Sequence, residues 1–340
     1  MTNSDDRPKN DNRPKLLVIV GQTAIGKSAL AMRIAKAFDG EIISADSWQV
    51  YKGFDIGTSK PSKTEQNQVR HHLIDVVDAQ DGFNAPKFKE LAERGIEDIQ
   101  NGGKLPILVG GTGLYVDSVL FDYGFLPNLG LAERAKLDAM SITELLELAE
   151  VSGVNLSDID IRNKRRIVRA IEAGGQKPTK SDLRPQTLIV GLKLDSKELK
   201  NRVEKRVKQM IDAGLEQEVR NLSAEYGWDI EPMKGIGYQQ WRPYFEPMQS
   251  LSTKPQTLSE TEAKIVKSTH ALAKRQGTWF KRNRHIKWFN SAKEAYVFLT
   301  KLMGTQSSKR RSNRSRADGS LPGCNRKNYR IPAAYRPGSA

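Results

Sequence analysis

The chain has 340 residues and carries 55 Lys and Arg against 40 Asp and Glu, a net charge of +15. That length holds one large domain, or a core with a subdomain, and apolar runs of only about five residues exclude a transmembrane helix. The single cysteine, Cys324, excludes an intrachain disulfide, a zinc finger or an Fe–S cluster, and it fits a reducing cytoplasm.

Residues 1–15 are polar and charged, so they read as a disordered arm rather than a secretory leader. Residues 16–20 are a continuous apolar run and predict a buried first strand. Gly21-Gln22-Thr23-Ala24-Ile25-Gly26-Lys27-Ser28 follows directly, and a helix over 27–38 comes next. This is a G-x-x-x-x-G-K-[ST] phosphate loop in the strand-to-helix position such a loop requires. Its glycines let backbone N–H groups curl around phosphate oxygens. Lys27 adds positive charge, and Ser28 offers a hydroxyl to Mg²⁺. A second strand over 41–45 ends at Asp46, and 72–75 predicts a third. Phe88, Leu91, Ile96 and Ile99 mark a helix over 88–101, stopped by Gly102-Gly103. Residues 106–109 predict a fourth strand, broken by Gly110-Gly111. Residues 187–192 and 286–289 predict two more. Alternating strands and helices imply a parallel sheet covered on both faces.

The pattern changes over 122–185. Short helices over 142–150 and 164–173 stand there without a convincing strand, as a small all-helical insertion domain. The expected architecture is therefore α/β. A P-loop NTPase-like parallel core over 16–121 and 186–303 is interrupted by that insertion. Residues 195–226 predict one or two helices. Asp195 with Glu198 caps the start, Leu199, Val203, Val207, Met210 and Ile211 form the apolar stripe, and Gly214 interrupts it. A second capping box, Ser259 with Glu262, predicts a helix to about residue 282. Residues 304–340 are rich in Ser, Arg, Gly and Pro and read as a disordered tail. That tail holds nine Lys and Arg against one Asp, and the arm is nearly neutral, so the body keeps about +6. A mildly basic body suits a polyanionic partner.

Two further motifs fall at strand ends, where open α/β sheets bind ligands. Asp46-Ser47-Trp48-Gln49-Val50-Tyr51 ends the second strand. Asp46 there accepts a proton, binds Mg²⁺, or only caps the following turn. Val109-Gly110-Gly111-Thr112-Gly113-Leu114-Tyr115 ends the fourth. Its glycines permit a ligand to approach the backbone, or serve packing alone. No acid ends this strand, so a Walker B site is not evident. His71 and His72 are adjacent without a Cys/His cluster, which favours a structural role over metal ligation. Trp279-Phe280 reads as core rather than a base-stacking platform.

These motifs form an ordered set. The phosphate loop comes first, then Asp46–Tyr51 continuing through Gly53-Phe54-Asp55-Ile56-Gly57-Thr58-Ser59-Lys60-Pro61, then His71–Asp75 and Val109–Tyr115. Gly235-Ile236-Gly237-Tyr238-Gln239-Gln240 and Lys274-Arg275-Gln276-Gly277-Thr278-Trp279-Phe280 complete it. In this order and spacing, over roughly residues 15–290, the chain resembles the tRNA dimethylallyltransferase family, also called tRNA isopentenyltransferases.

The resemblance implies transfer of a dimethylallyl group from dimethylallyl diphosphate to N6 of adenosine 37, just 3′ of the anticodon in tRNA. It implies that the loop, Gly21 to Ser28, holds a diphosphate leaving group, with Mg²⁺ touching Ser28. It implies catalytic roles for Asp46 as general base, for Thr23 against the leaving group and for Arg220, in Glu218-Val219-Arg220, as an arginine reaching the site. Asp46, Ser47, Trp48, Gln49 and Thr112 match tRNA-contacting positions, Gln49 having an amide suited to a base edge. Arg165, Arg166 and Arg169 lie in the segment that contacts the anticodon stem-loop, and Arg166 and Arg169 share a helix face. Lys274, Arg275, Lys281, Arg282 and Arg284 could touch phosphates.

The chain departs from the family pattern in places. Gln22 replaces a common proline, with little effect expected because only backbone groups are needed there. Ser28 stands for the commoner threonine. Asn163 to Arg166 replaces the usual Asp-Pro-Gln-Arg, and the basic tail has no counterpart. Three rivals share parts of the sequence. An adenylate isopentenyltransferase acting on free AMP, ADP or ATP needs neither the insertion nor the basic helices. A P-loop small-molecule kinase leaves the motifs at 235–240 and 274–280 without a purpose. A basic RNA-binding module has no need of intact Lys27 and Ser28. The expected molecule is a cytoplasmic monomer with tRNA and the prenyl donor as partners and no membrane association.

Overall fold

The computed structural model describes residues 13–126, 130–246 and 255–304. Nearly all of the expected arm and tail, with Cys324, lies outside the described residues. In chain order the elements begin with β1 (Leu16–Gly21), α1 (Lys27–Phe38), β2 (Gly40–Ala45), α2 (Lys63–Gln68), β3 (His71–His72) and α3 (Ala85–Asn101). Next come β4 (Leu105–Gly110), α4 (Gly113–Leu120), α5 (Leu131–Ala139), α6 (Ile142–Val151) and α7 (Lys164–Glu172). The chain then forms β5 (Thr187–Leu192), α8 (Ser196–Asp212), α9 (Leu215–Tyr226), α10 (Arg242–Phe245), α11 (Leu258–Phe280), β6 (Ile286–Phe289) and α12 (Ala292–Met303).

The six strands make one parallel sheet in the order β3-β2-β4-β1-β5-β6, so the expected parallel α/β core is borne out. Every residue of β1 and β4 is buried, as strands covered on both faces must be. Leu17 and Ile19 pair in register with Ile107 and Val109. On that face they join Leu30, Ile34 and Phe38 of α1 and Leu299 of α12 in one core. Ile43 points to the opposite face and meets α3 at Gly95. The register sets Gly110 beside both Ala45 and Val20, which brings the ends of β2, β4 and β1 together. A Cβ on Gly110 would lie 2.1 Å from the Ala45 carbonyl oxygen, so only glycine fits there.

A second core lies among α8, α9 and α11 and the loop after β2. Val203, Val207, Val219, Ile265 and Ala273 pack there with Tyr51, Phe54, Tyr238 and Trp241. It supports a long loop that has no sheet of its own.

Several expected boundaries shift. The third strand is His71–His72 rather than 72–75, because Leu73 and Asp75 both adopt positive φ. Helix α11 starts earlier than expected. Thr257 rather than Ser259 is the cap, with Glu260 closing the box. Gln256 fixes this choice by donating to the Gln240 carbonyl and to the Thr261 hydroxyl. Gly214, at φ +97, separates α8 from α9. The Asp195 carboxylate accepts from the Lys197 and Glu198 N–H groups, while Glu198 pairs with Arg202 instead of closing a box.

Residues Leu120–Arg184 form a compact unit of their own. Leu137, Leu145, Ile167 and Val168 are its core. Among the described residues it is helical except for one bridge between Gly124 and Thr179.

Glu41 of β2 is buried and carries a testable consequence. Its carboxylate accepts from His72 Nε2 and Lys104 Nζ, both at 2.7 Å, which gives His72 the structural role its sequence suggested. Burial alone would raise the Glu41 pKa, but the hydrogen bonds from His72 and Lys104 outweigh it and bring it from 4.5 down to about 2. A depressed carboxyl pKa gives stability that is present above 4.5 and is lost as pH falls towards 2. Its size, discounted for solvent screening, is on the order of 1–3 kcal/mol. Urea unfolding of Glu41→Gln should lack that steep segment, whereas the wild type should show it. Parallel pH profiles for the two proteins would contradict the assignment.

Candidate active site

The site is built at the carboxyl ends of β1, β2 and β4. After β1 the chain curls through Gly21 to Ser28, with Ala24 at φ +61 and Gly26 at φ +100. No side chain caps α1 at Gly26, so the first N–H groups of the helix are not taken up by a capping side chain. Lys27 Nζ donates to the Gln22 carbonyl at 2.6 Å, and exposed Ser28 begins the first turn.

Helix α11 seats this loop. The Thr23 N–H donates to Gln276 Oε1 at 2.7 Å, and Gln22 Nε2 donates to the Ala273 carbonyl at 3.0 Å. The Gln22 side chain is therefore not idle, contrary to expectation. It anchors the loop where the usual proline could not. Gln276 also abuts Gly111, and Trp279 abuts Gly113 while donating to Asp117 at 2.9 Å. The 274–280 motif thus clasps two ligand loops through Gln276 and Trp279. Phe280 is buried core, as expected, whereas Trp279 is only half-buried.

Asp46 stands at the end of β2 with Oδ1 accepting the Trp48 N–H at 2.9 Å. It therefore caps its turn and still faces Lys27, whose charge it supports. Across the register, Thr112 Oγ1 accepts the Ser47 N–H at 3.2 Å. Asp46, Ser47 and Thr112 are brought together as the motifs implied. Two neighbours also make contacts within the protein. Gln49 accepts the Ser44 hydroxyl and donates to the carbonyls of Thr58 and Ser59, so its amide braces a loop rather than standing open to a base edge. Trp48 is half-buried, with its ring against Gly235.

Arg220, expected to reach the site, is engaged on the surface of α9. Its guanidinium pairs with Glu216 at 2.8 Å and lies 4.4 Å over the Phe245 ring. The arginine whose charge is felt at Lys27 and Asp46 is Arg206 of α8. Burial lowers its pKa and Asp46 raises it, and Arg206 in turn lowers that of Lys27. Arg202, one turn earlier, donates to the Ile25 carbonyl at 3.4 Å. Sequence reasoning missed both arginines. Their signal was position: each precedes a buried valine, Val203 or Val207, and so flanks the apolar stripe instead of pointing away from it.

The electrostatics follow from this crowding. Desolvation is the main cause that lowers the Lys27 pKa to about 7, Arg206 lowers it further, and Asp46 partly offsets both. Two cations forced together beside one carboxylate form a ready anion site. Burial, then Tyr51 and Asp46, push the Tyr115 phenol up.

In the helical unit, Arg165 and Arg166 of α7 are exposed. Arg169 has partners within the unit. It pairs with Glu172 at 3.2 Å and donates to the Leu126 carbonyl at 2.6 Å, while Arg134 also holds Glu172. Lys274, Arg275, Lys281, Arg282 and Arg284 are all exposed. Among the described residues no group of three His, Cys, Asp or Glu gathers to hold a metal, and no helix is long and apolar enough to cross a membrane.

The chain resembles known proteins over most of its length. The IPP transferase family matches residues 49–283. The tRNA dimethylallyltransferase of Pediococcus pentosaceus is 41% identical over 289 residues, 81% of this chain and 91% of that protein. Among solved structures, the full-length tRNA isopentenylpyrophosphate transferase of Bacillus halodurans is 32% identical, covers 86% of this chain and 97% of its own, and superposes with a TM-score of 0.64. A eukaryotic dimethylallyltransferase, at 24% identity and a TM-score of 0.67, shares the fold. With the phosphate loop, Asp46 and Thr112 converging as described, the chain belongs to the IPP transferase family.

Proposed function

We propose that this chain, as a cytoplasmic monomer, transfers a dimethylallyl group from dimethylallyl diphosphate to N6 of adenosine 37 in tRNA. The observation that carries this reading is the cluster of Lys27, Arg206 and Asp46 around a phosphate loop, in a chain 41% identical to a tRNA dimethylallyltransferase. An NTPase needs an attacking water. This site offers a carboxylate facing two diphosphate-binding cations.

The adenine amine is a poor nucleophile, because its lone pair is delocalised into the ring. As N6 attacks the allylic carbon, Asp46 takes the departing proton, and its bond to the Trp48 N–H holds the carboxylate in place. The carbon–oxygen bond breaks, and both its electrons leave with the diphosphate. The N–H groups of the loop and α1, with Lys27 and Arg206, stabilise the gathering charge. Thr23, held through its backbone to Gln276, sits beside that leaving group.

Mg²⁺ fits this site only together with the diphosphate. Ser28 supplies one hydroxyl, and hard cations need more oxygen ligands than that. When bound it supplies charge to the departing oxygens. The acceptor base leaves the anticodon-loop stack, and hydrogen bonds in a fitted pocket offset the unstacking cost. Ser47 and Thr112 border that pocket. Arg165 and Arg166 of the helical unit, and the exposed basic residues of 274–284, supply phosphate contacts.

The test is to incubate the protein, Mg²⁺ and labelled dimethylallyl diphosphate with tRNA, with AMP, or with neither. Label is expected in tRNA alone. Label in AMP and not in tRNA would overturn the reading.

A further inference from the structure

The loop after β2 runs from Asp46 to Ser62, and little regular structure holds it. Its backbone N–H groups at Asp55, Ile56 and Gly57 nevertheless converge. All three donate to the Glu218 carboxylate, at 3.1, 2.7 and 3.0 Å. The Tyr238 hydroxyl adds a fourth donor at 2.7 Å. Three successive N–H groups around one anion form a nest, and here a side chain from α9 fills it. Gly57 is required by the same contact, since a Cβ there would meet the Tyr238 ring at 2.5 Å. Burial, and then the Glu218 charge, raise the Tyr238 pKa well above its ordinary value, which keeps that fourth donor protonated.

The clamped turn carries its effect to the chemistry. Thr58 donates to the Phe54 carbonyl, and the Ser59 N–H donates to the Ile56 carbonyl, so residues 54–59 are tied into one turn. At the end of that turn, Ser59 Oγ accepts from Arg206 Nε at 3.0 Å. This bond uses Nε and orients the guanidinium plane, which leaves the two terminal nitrogens as further donors. The Thr58 and Ser59 carbonyls also hold Gln49, three residues beyond Asp46.

We propose that Glu218 is a positioning residue for the transfer reaction: by clamping the turn at 55–57 it sets Ser59, and through Ser59 the Arg206 guanidinium that faces the diphosphate. This rests on the prenyl-transfer reading above. Glu218 lies two residues from Arg220, so the Glu-Val-Arg segment acts on the site through its glutamate and not through its arginine.

The test is a double-mutant cycle read by calorimetric binding of inorganic pyrophosphate and by single-turnover transfer. Glu218→Gln puts an NH₂ group against N–H and O–H donors. It is expected to weaken pyrophosphate binding by about tenfold and to slow transfer by about 10- to 100-fold. Arg206→Ala should do at least as much, and the double variant should look like Arg206→Ala alone. Ser59→Ala removes only the link and should cost about three- to tenfold. Glu218→Asp, which keeps the charge, should recover part of the loss. Losses that multiply in the double variant, or a Glu218→Gln protein with a lower melting temperature but wild-type binding and rate, would overturn the proposal. Pyrophosphate binding needs no prenyl donor, so the clamp and the prenyl-transfer reading fail on different measurements.

Discussion

Asp46→Asn should reduce single-turnover transfer to tRNA by about 10²- to 10⁴-fold, the range expected when a positioned general base is lost. Asn keeps the oxygen that accepts the Trp48 N–H, so the turn after β2 survives. What it removes is the second carboxylate oxygen and the negative charge. That charge supports the Lys27 ammonium and the Arg206 guanidinium. Its loss takes away a repulsion on the diphosphate but also lowers the Lys27 pKa, so pyrophosphate affinity should be undiminished when measured well below pH 7, where Lys27 stays charged. Slower chemistry with undiminished leaving-group affinity separates a proton acceptor from a metal ligand or a fold residue. Wild-type turnover in this variant would remove Asp46 from the reaction.

The second large effect belongs to Arg206. Arg206→Ala should weaken pyrophosphate binding by roughly 10- to 100-fold, as expected for loss of a charge-assisted contact to phosphate. A pH signature accompanies it. Lys27 has a pKa of about 7, set by desolvation first and by Arg206 next. It is a full cation below that pH and loses its charge above it, so wild-type affinity should fall as pH rises through 7. Removing Arg206 removes one cause of the depression. The break should therefore move to higher pH even though affinity is weaker throughout. The titration of pyrophosphate itself is common to both proteins and cancels in the comparison. A break that stays in place would mean that Arg206 does not face Lys27.

The parts of this site differ in how far apart their residues lie in sequence, and legibility follows that distance. The phosphate loop is eight consecutive residues between an apolar strand and an amphipathic helix, so its backbone role is written locally. Strand ends carry ligand loops in any open α/β sheet, which made Asp46 and Thr112 legible once the strands were placed. The bond from the Thr23 N–H to Gln276 spans 253 positions, and that from Gly57 to Glu218 spans 161. No local propensity encodes either. Arg206 and Arg220 are both helical arginines and look alike in sequence. The difference is that α8 turns Arg206 inward beside Val207, while α9 leaves Arg220 to Glu216 and Phe245. Gln49 and Arg169 carry polar groups suited to RNA, yet the structure engages them internally. The two competing caps of α11, Thr257 and Ser259, each have a glutamate three residues on. Only the tertiary bonds of Gln256 select the first.

If the loop serves a leaving group, the bond broken lies between carbon and oxygen rather than between phosphorus and oxygen. Dimethylallyl diphosphate carrying heavy oxygen in the bridge between carbon and phosphorus tests this directly, with tRNA as acceptor and mass analysis of both products. The predicted result is that all of the heavy oxygen departs in pyrophosphate while the tRNA gains the prenyl group. Heavy oxygen retained in a prenyl alcohol, or release of orthophosphate with unmodified tRNA, would contradict it.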